Sequence, residues 1–431
     1  MKKTLLYLGC FFLAFFLRAC IIYLTPTFQY ENIDLQIYRD TGQLVANGIN
    51  PYDYTDNVEL RNQLRTDKDC YNEYTCENQE RWNFCANSNL PLATLFFGAV
   101  EYLFASALAY RLFFAFFDSL LAVLILAFVL NKWQFKLSNN FIVNKISPKL
   151  LKLLLLLIGL FLGAISFIIM LNGTWLPEHK GMGLLLVLSS IYFSDSSKKA
   201  NSLILSPVLL GCSVSFIGLS VFIAPLCLYN IYKNYNFKML FFYSVISLVF
   251  CLIWLVPFLP QLFTMMSERL SDPNYIPIHG SMWVPFYKLF PGKWILFKHL
   301  FMILFVVINI LGLIRKRLNI IIISASLIYF FTDIYLIAGS MNRMNIALLT
   351  VILLIGYSKY FNMAVLLSVL YIIYGCFSFL YTFIIGYRED FDGYFMLIFS
   401  GIYFLFLIFQ TFGSQQILKI QTKPNSIYQI H

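Results

Sequence analysis

The sequence predicts an all-α polytopic membrane protein, and three features carry that prediction. First, 60% of its 431 residues are apolar and only 12% are charged, against about 45–50% and about 25% in soluble domains. Second, the apolar residues form continuous runs of about 20, the length that crosses a ~30 Å hydrocarbon layer as a helix; strands of a membrane barrel would alternate instead. Third, Lys and Arg cluster in short breaks between the runs, as in the cytoplasmic loops that set orientation. A single core stops growing near about 250–300 residues, so a chain this apolar needs lipid to solvate much of its surface. Soluble enzymes, disordered chains and disulfide scaffolds are excluded. The net charge of +10 sits in those breaks rather than in a basic stripe interleaved with aromatics, so nucleic acid is not an expected partner.

Taken in order, the apolar stretch after Met1-Lys2-Lys3 runs to Leu24. It exceeds the roughly 7–15 residues of a signal h-region, and no A-x-A site follows, so it is read as a retained first span. Further spans are expected near 108–130, 150–171, 180–194, 203–216, 218–230, 238–259, 296–314, 318–338, 346–358, 363–385 and 394–413. The segment 91–105 has about 15 residues, too few to cross, and carries Glu101. Laid along the outer surface as a juxtamembrane helix, it puts Lys132, Lys136, Lys145, Lys149 and Lys152 inside. Lys198/Lys199, Lys233/Lys238 and Arg315-Lys316-Arg317 follow them. The expectation is therefore about twelve spans with both termini cytoplasmic. Asp195 is then the one acidic residue in a cytoplasmic loop. Residues 1–431 form a single membrane domain with two external loops, 25–107 and 260–295. No P-loop, G-x-G-x-x-G or internal repeat is evident. Short loops without a lysine-type retention tail suit a bacterial inner membrane.

The external loops hold the chemistry. After the first span the chain reads Tyr30-Glu31-Asn32-Ile33-Asp34-Leu35-Gln36-Ile37-Tyr38-Arg39-Asp40, and then Gly48-Ile49-Asn50-Pro51-Tyr52-Asp53. This resembles the first external loop of polyprenyl-phosphate-sugar-dependent glycosyltransferases of the GT-C fold. More narrowly, it is similar to their mannosyltransferase branches, including the first GPI mannosyltransferase and the bacterial phosphatidylinositol-mannoside enzymes. Those families carry an acid just after span one, then a Tyr, a small-residue helix and G-x-x-PY. A proline-led juxtamembrane helix precedes their span two, and Leu90-Pro91-Leu92 followed by Arg111 and Asp118 looks like that region. The likeness is good over residues 1–130 and mainly topological beyond.

The resemblance implies a GT-C-like fold and transfer of a hexose, mannose by family weighting, from a polyprenyl-phosphate donor. The acceptor would be a lipid-linked or cell-envelope glycan at the non-cytoplasmic face. An attacking hydroxyl must lose its proton to a base within about 3 Å, and the resemblance assigns that role to Asp34; the alternative for Asp34 is a solvated loop acid or helix N-cap. Asp40 either shares the pocket or pairs with Arg39. Tyr38 and Tyr52 belong to the substrate-binding motif. The two-acid pattern of the GPI enzymes is replaced here by Asn32-Ile33-Asp34, with Glu31 one place early. A divalent ion wants several carboxylate oxygens, so no metal or cofactor is expected beyond the donor as co-substrate.

A departing polyprenyl phosphate gains negative charge, which preplaced cations stabilise. Candidates for the donor phosphate are Arg343, in a small external turn, and the pair His179 and Lys180; Arg343 could instead snorkel to the interface. Arg388, beside Glu389, Asp390 and Asp392, reads as a solvated turn. Trp283, with Tyr287 and His279, either stacks on a sugar ring or belongs to an aromatic interface belt. Asp118 and Asp333 lie within apolar runs and are expected to make interhelical contacts, Asp118 with Arg111. Cys70, Cys76 and Cys85 lie in an external loop where a disulfide can form; their spacing does not say which pair, and without a nearby His it is not zinc spacing. Two other classes compete: an O-antigen polymerase or ligase, and a flippase or transporter of lipid-linked sugars.

Overall fold

The computed structural model describes residues 2–25, 33–52, 89–133, 147–170, 173–174, 179–196, 198–260, 262, 281–335, 341–358, 360–385 and 389–413. Within these ranges it leaves out the side chains of Lys2, Ile33, Asp34, Gln36 and Leu219, and those of 341–346, 381–385 and 389–391. The described chain is helical, with no strand among the described residues. The helices are α1 (Lys2–Leu24), α2 (Ile33–Ala46), α3 (Pro91–Phe104) and α4 (Ala107–Phe128), the last running on as a π turn to Trp133. Then come α5 (Pro148–Leu162), α6 (Phe167–Met170), α7 (Lys180–Ser194), α8 (Ser206–Ile217) and α9 (Ala224–Asn234). They are followed by α10 (Phe237–Leu255), the short α11 (Val284–Leu289), α12 (Trp294–Ile314) and α13 (Ile320–Tyr329). The last three are α14 (Met341–Tyr357), α15 (Phe361–Ile385) and α16 (Glu389–Phe412).

Seven helices among the described residues are long and apolar enough to cross a membrane: Lys3–Leu24, Ala107–Trp133, Pro148–Met170, Phe237–Phe258, Trp294–Ile314, Phe361–Leu380 and Asp392–Phe412. Shorter apolar helices cover Pro91–Phe104, Lys180–Ser194, Asn201–Ile217, Ile320–Tyr335 and Ala347–Tyr357. The chain is therefore a polytopic helical membrane protein. Several expected spans are interrupted. The one expected over 150–171 breaks after Leu162, where Gly163 ends α5 before α6 starts at Phe167. The one expected over 318–338 changes to a π turn at Phe330–Tyr335.

Helix contacts sort the connections onto two ends of the bundle. At one, Lys132 pairs with Asp195 at 2.7 Å, Asn131 bonds Tyr7 and Tyr192, and the Trp133 indole donates to the Leu353 carbonyl at 3.1 Å. At the other, α2 and α3 pack on each other and over the ends of α4, α7 and α8. The main apolar core runs through the bundle between these ends, and a smaller cluster of Leu35, Tyr38, Phe97, Tyr110, Phe114, Met182 and Phe216 sits beneath α2 and α3.

Polar side chains join the spans internally, as they must where no water can satisfy them. Arg18, fully buried in the middle of an apolar run, donates to the carbonyls of Ala14 (2.9 Å), Ala164 (3.1 Å) and Gly163 (3.3 Å). The carbonyls freed by the break after α5 are thus capped from α1. Further joints are Ser206 with Tyr243 at 2.9 Å, Ser326 with Tyr403 at 2.9 Å, and Tyr329 with Ser400 at 2.6 Å. By contrast, α10 buries only Tyr243 and turns the rest of its surface outward.

Candidate functional site

The candidate site is built on α2. Leu35, Tyr38, Thr41, Gly42 and Leu44 recur at the spacing that puts them on one helical face, and that face is buried. The helix stops at Asn47-Gly48, where Gly48 takes φ +75° and the Ile49 N–H returns to the Leu44 carbonyl at 2.9 Å, a left-handed stop that glycine adopts without strain. In the Asn50-Pro51-Tyr52 turn that follows, the Asn50 side-chain oxygen accepts the Tyr52 N–H at 3.0 Å. The Tyr52 hydroxyl then donates to the Asn89 carbonyl at 2.7 Å and bonds Thr94 Oγ1 at 3.1 Å. The G-x-N-P-Y motif is, in this fold, a brace from the end of α2 to the start of α3.

α3 begins with Pro91 in its first turn, where a missing N–H costs nothing. Its 14 residues extend about 21 Å, short of a membrane's thickness, and it packs on α2 with Tyr102, Leu103 and Phe104 exposed. The two helices cross where glycine allows it. A Cβ on Gly42 would stand 2.7 Å from the Phe97 carbonyl oxygen, and one on Gly98 would run into the Val45 side chain. Arg39 meets the buried Glu101 at 3.5 Å, and Gln43 donates to the same carboxylate oxygen at 3.4 Å.

Beneath that crossing Tyr38 stacks on Phe97, centroids 4.5 Å apart, and meets His179 edge-on at 5.1 Å. His179, 1% exposed, is boxed by Tyr38, Phe97 and Phe216. Its Nε2 lies 3.2 Å from the Lys180 ammonium. Burial first, and the Lys180 charge second, push the imidazole's pKa well below its ordinary value, so the ring is neutral and Nε2 accepts from Lys180. The structure thus brings Tyr38, His179 and Lys180 together. Asp40 is half-buried on the same helix, within electrostatic reach of the Tyr110 hydroxyl. The backbone of Asp34 lies in the first turn of α2; its side chain falls outside the described residues.

Other expected residues lie elsewhere. Trp283 is buried, with its indole N–H donating to the Ile334 carbonyl at 3.0 Å and its ring against Phe286 and Phe301. It is a core side chain rather than an open stacking surface. Arg343 lies in the first turn of α14, its side chain outside the described residues, as are His279, Arg388, Cys70, Cys76 and Cys85. No group of three or more His, Cys, Asp or Glu side chains gathers as a metal site among the described residues.

The expected Asp118–Arg111 pair does not form. Arg111 spends its donors on Thr25, at 2.7 Å to both carbonyl and hydroxyl, and on the Thr174 carbonyl at 2.9 and 3.2 Å. Their spacing of seven puts both on one face, but each meets a different part of the chain. The charge acting on Asp118 is Arg18. The Asp118 carboxylate fills the space beside Gly173 and Gly181, where a Cβ on either glycine would overlap an oxygen. α4 therefore grips both flanks of the segment that presents His179 and Lys180. Arg18 and Glu101 were not singled out for these roles from sequence, although an arginine inside an apolar run is itself a signal.

The chain matches no protein-family model, no curated protein and no solved structure.

Proposed function

We propose that this chain is an integral-membrane glycosyltransferase that moves a hexose, mannose in the first instance, from a polyprenyl-phosphate carrier to a lipid-linked or cell-envelope acceptor. The observation that carries the reading is the seat of α2: the helix bearing Asp34 and Asp40 is braced on α3 and rests through Tyr38 on His179, next to the Lys180 ammonium. An acid-bearing helix and a cation thus share one end of the bundle. That is the pairing needed to take a proton from the acceptor and to neutralise the leaving phosphate.

In this reading Asp34 is the general base, and Asp40 supports it. Lys180 and Arg343 hold the donor phosphate. His179, neutral and enclosed, accepts from Lys180 and keeps its ammonium in place. The fold is GT-C-like, with twelve crossings made by the seven long helices, the four shorter apolar ones other than α3, and the segment 218–230 that leads into α9. The α2–α3 end faces outward, and the end with Lys132 and Asp195 faces the cytoplasm, as the distribution of lysines requires. A bacterial inner membrane is the corresponding location.

The test is incubation of membranes with labelled polyprenyl-phosphate-mannose and -glucose. Label should leave the carrier in wild type, and Asp34→Asn should abolish transfer at unchanged expression. Full activity in Asp34→Asn removes the mechanism. A second reading, translocation of a lipid-linked sugar, draws on the charges buried among the spans, Arg18 and Asp118. It predicts that labelled carrier changes leaflet in proteoliposomes while the sugar stays attached.

A further inference from the structure

Lys298 lies four residues into α12, inside an apolar run, and is 9% exposed. A lysine near a helix end ordinarily extends its amine to water along the lipid surface. This one is enclosed by protein instead. Its Nζ stands 5.5 Å from the centre of the Tyr335 ring. Among the described residues no carboxylate lies within ion-pair distance of it and no acceptor takes its N–H groups. A ring face offsets only part of the cost of desolvating an ammonium, so the site is short of an anion.

The surroundings say which anion. Side chains on a helix lean toward its N-terminus, here the rim of the bundle where the exposed Lys288 and Lys293 add positive charge. Tyr335, the ring beneath the amine, is 43% exposed, so the place is open on that side. Ile295, three residues before Lys298 and so its neighbour on the helix surface, turns outward and offers an apolar contact for an acyl chain. None of the contacts described for Lys298 and Tyr335 touches Tyr38, His179 or Glu101.

We infer that Lys298 and the N-terminal end of α12 hold the phosphate of an anionic phospholipid, whose acyl chain passes Ile295. The ammonium supplies charge-assisted hydrogen bonds to the phosphate oxygens, and the Tyr335 ring backs it. This site is separate from the transfer reaction proposed above and does not depend on it.

The experiment is native mass spectrometry of the detergent-solubilised full chain titrated with phosphatidylglycerol, phosphatidylcholine and inorganic phosphate. Wild type should retain one phosphatidylglycerol in preference to phosphatidylcholine. Lys298→Met should weaken that retention by about tenfold, the loss of one charge-assisted contact, and Lys298→Arg should keep it. Equal retention by wild type and a folded Lys298→Met overturns the inference. So does binding of inorganic phosphate with no preference for phosphatidylglycerol. Should Lys298→Met not fold, a phosphatidylglycerol with a photoreactive headgroup decides on wild type: crosslinks must concentrate in 283–300 and 330–335, and an even spread around the bundle overturns the site. Neither readout measures sugar transfer, so this inference and the transferase reading fail independently.

Discussion

The Asp118 carboxylate and Gly181 occupy one space: a Cβ on Gly181 would fall on Oδ1, as one on Gly173 would fall on Oδ2. A buried acid and two glycines thereby set how closely the His179–Lys180 segment approaches α4. Gly181→Ala should lower stability by about 1–3 kcal/mol, the usual cost of overpacking. Thermal unfolding in detergent checks this, and shortening the acid in a Gly181→Ala/Asp118→Ser double variant should recover part of the loss. Full wild-type stability in Gly181→Ala alone contradicts the packing described.

The enclosed imidazole makes stability depend on pH in a stated direction. Burial holds the folded-state pKa of His179 well below its ordinary value, so below about pH 6.5 the unfolded chain binds a proton that the folded chain does not. Stability from this group is complete above that pH and falls as the pH drops toward the folded pKa. Melting temperatures between pH 7.5 and 5 should decline in wild type and decline less in His179→Phe, which keeps the aromatic box and loses the titration. Parallel profiles would count against it.

Glu101 ties α2 to α3 through Arg39 and Gln43. Removing Glu101 takes away one charge-assisted contact of Arg39 and the acceptor of Gln43, so Glu101→Ala should cost about 1–3 kcal/mol. A double-mutant cycle with Arg39→Ala in mixed-micelle unfolding should return a favourable coupling energy. Coupling near zero would mean the contact is incidental.

Tyr52→Phe removes only the hydroxyl that braces the G-x-N-P-Y turn to Asn89 and Thr94. The expected cost is about 1 kcal/mol, that of an ordinary intramolecular hydrogen bond. If Tyr52 contacts substrate instead, the variant melts like wild type and loses transfer.

Much of the architecture was legible because length and charge are one-dimensional properties. A 14-residue apolar helix led by Pro91 and carrying Glu101 cannot cross a bilayer, and it does lie on a neighbouring helix. The break after Leu162 and the π turn from Phe330 were not legible. Apolar runs read alike whether their backbone is continuous or interrupted, and the partners that fill the gaps come from distant segments. The same limit explains the Asp118 error: a spacing of seven shows that two side chains share a face, but not which strangers that face meets. Tyr38 and the pair His179 and Lys180 were selected separately from sequence, and only the fold places Tyr38 against His179. Trp283 read as a loop aromatic because nothing local reveals that Ile334 will claim its N–H.

The guanidinium in the first helix has a consequence for biogenesis. Arg18 finds carbonyl acceptors at Gly163 and Ala164, 145 and 146 residues further along. During synthesis the first span leaves the translocation channel before those acceptors have been made. Until they arrive it carries an arginine whose cost is not yet offset, below the about 2.5–3.5 kcal/mol of a helix centre because Arg18 lies in the second half of the span. The opening segment is therefore an unfinished guest in the bilayer, and its residence is secured only when a much later piece of the chain is delivered beside it.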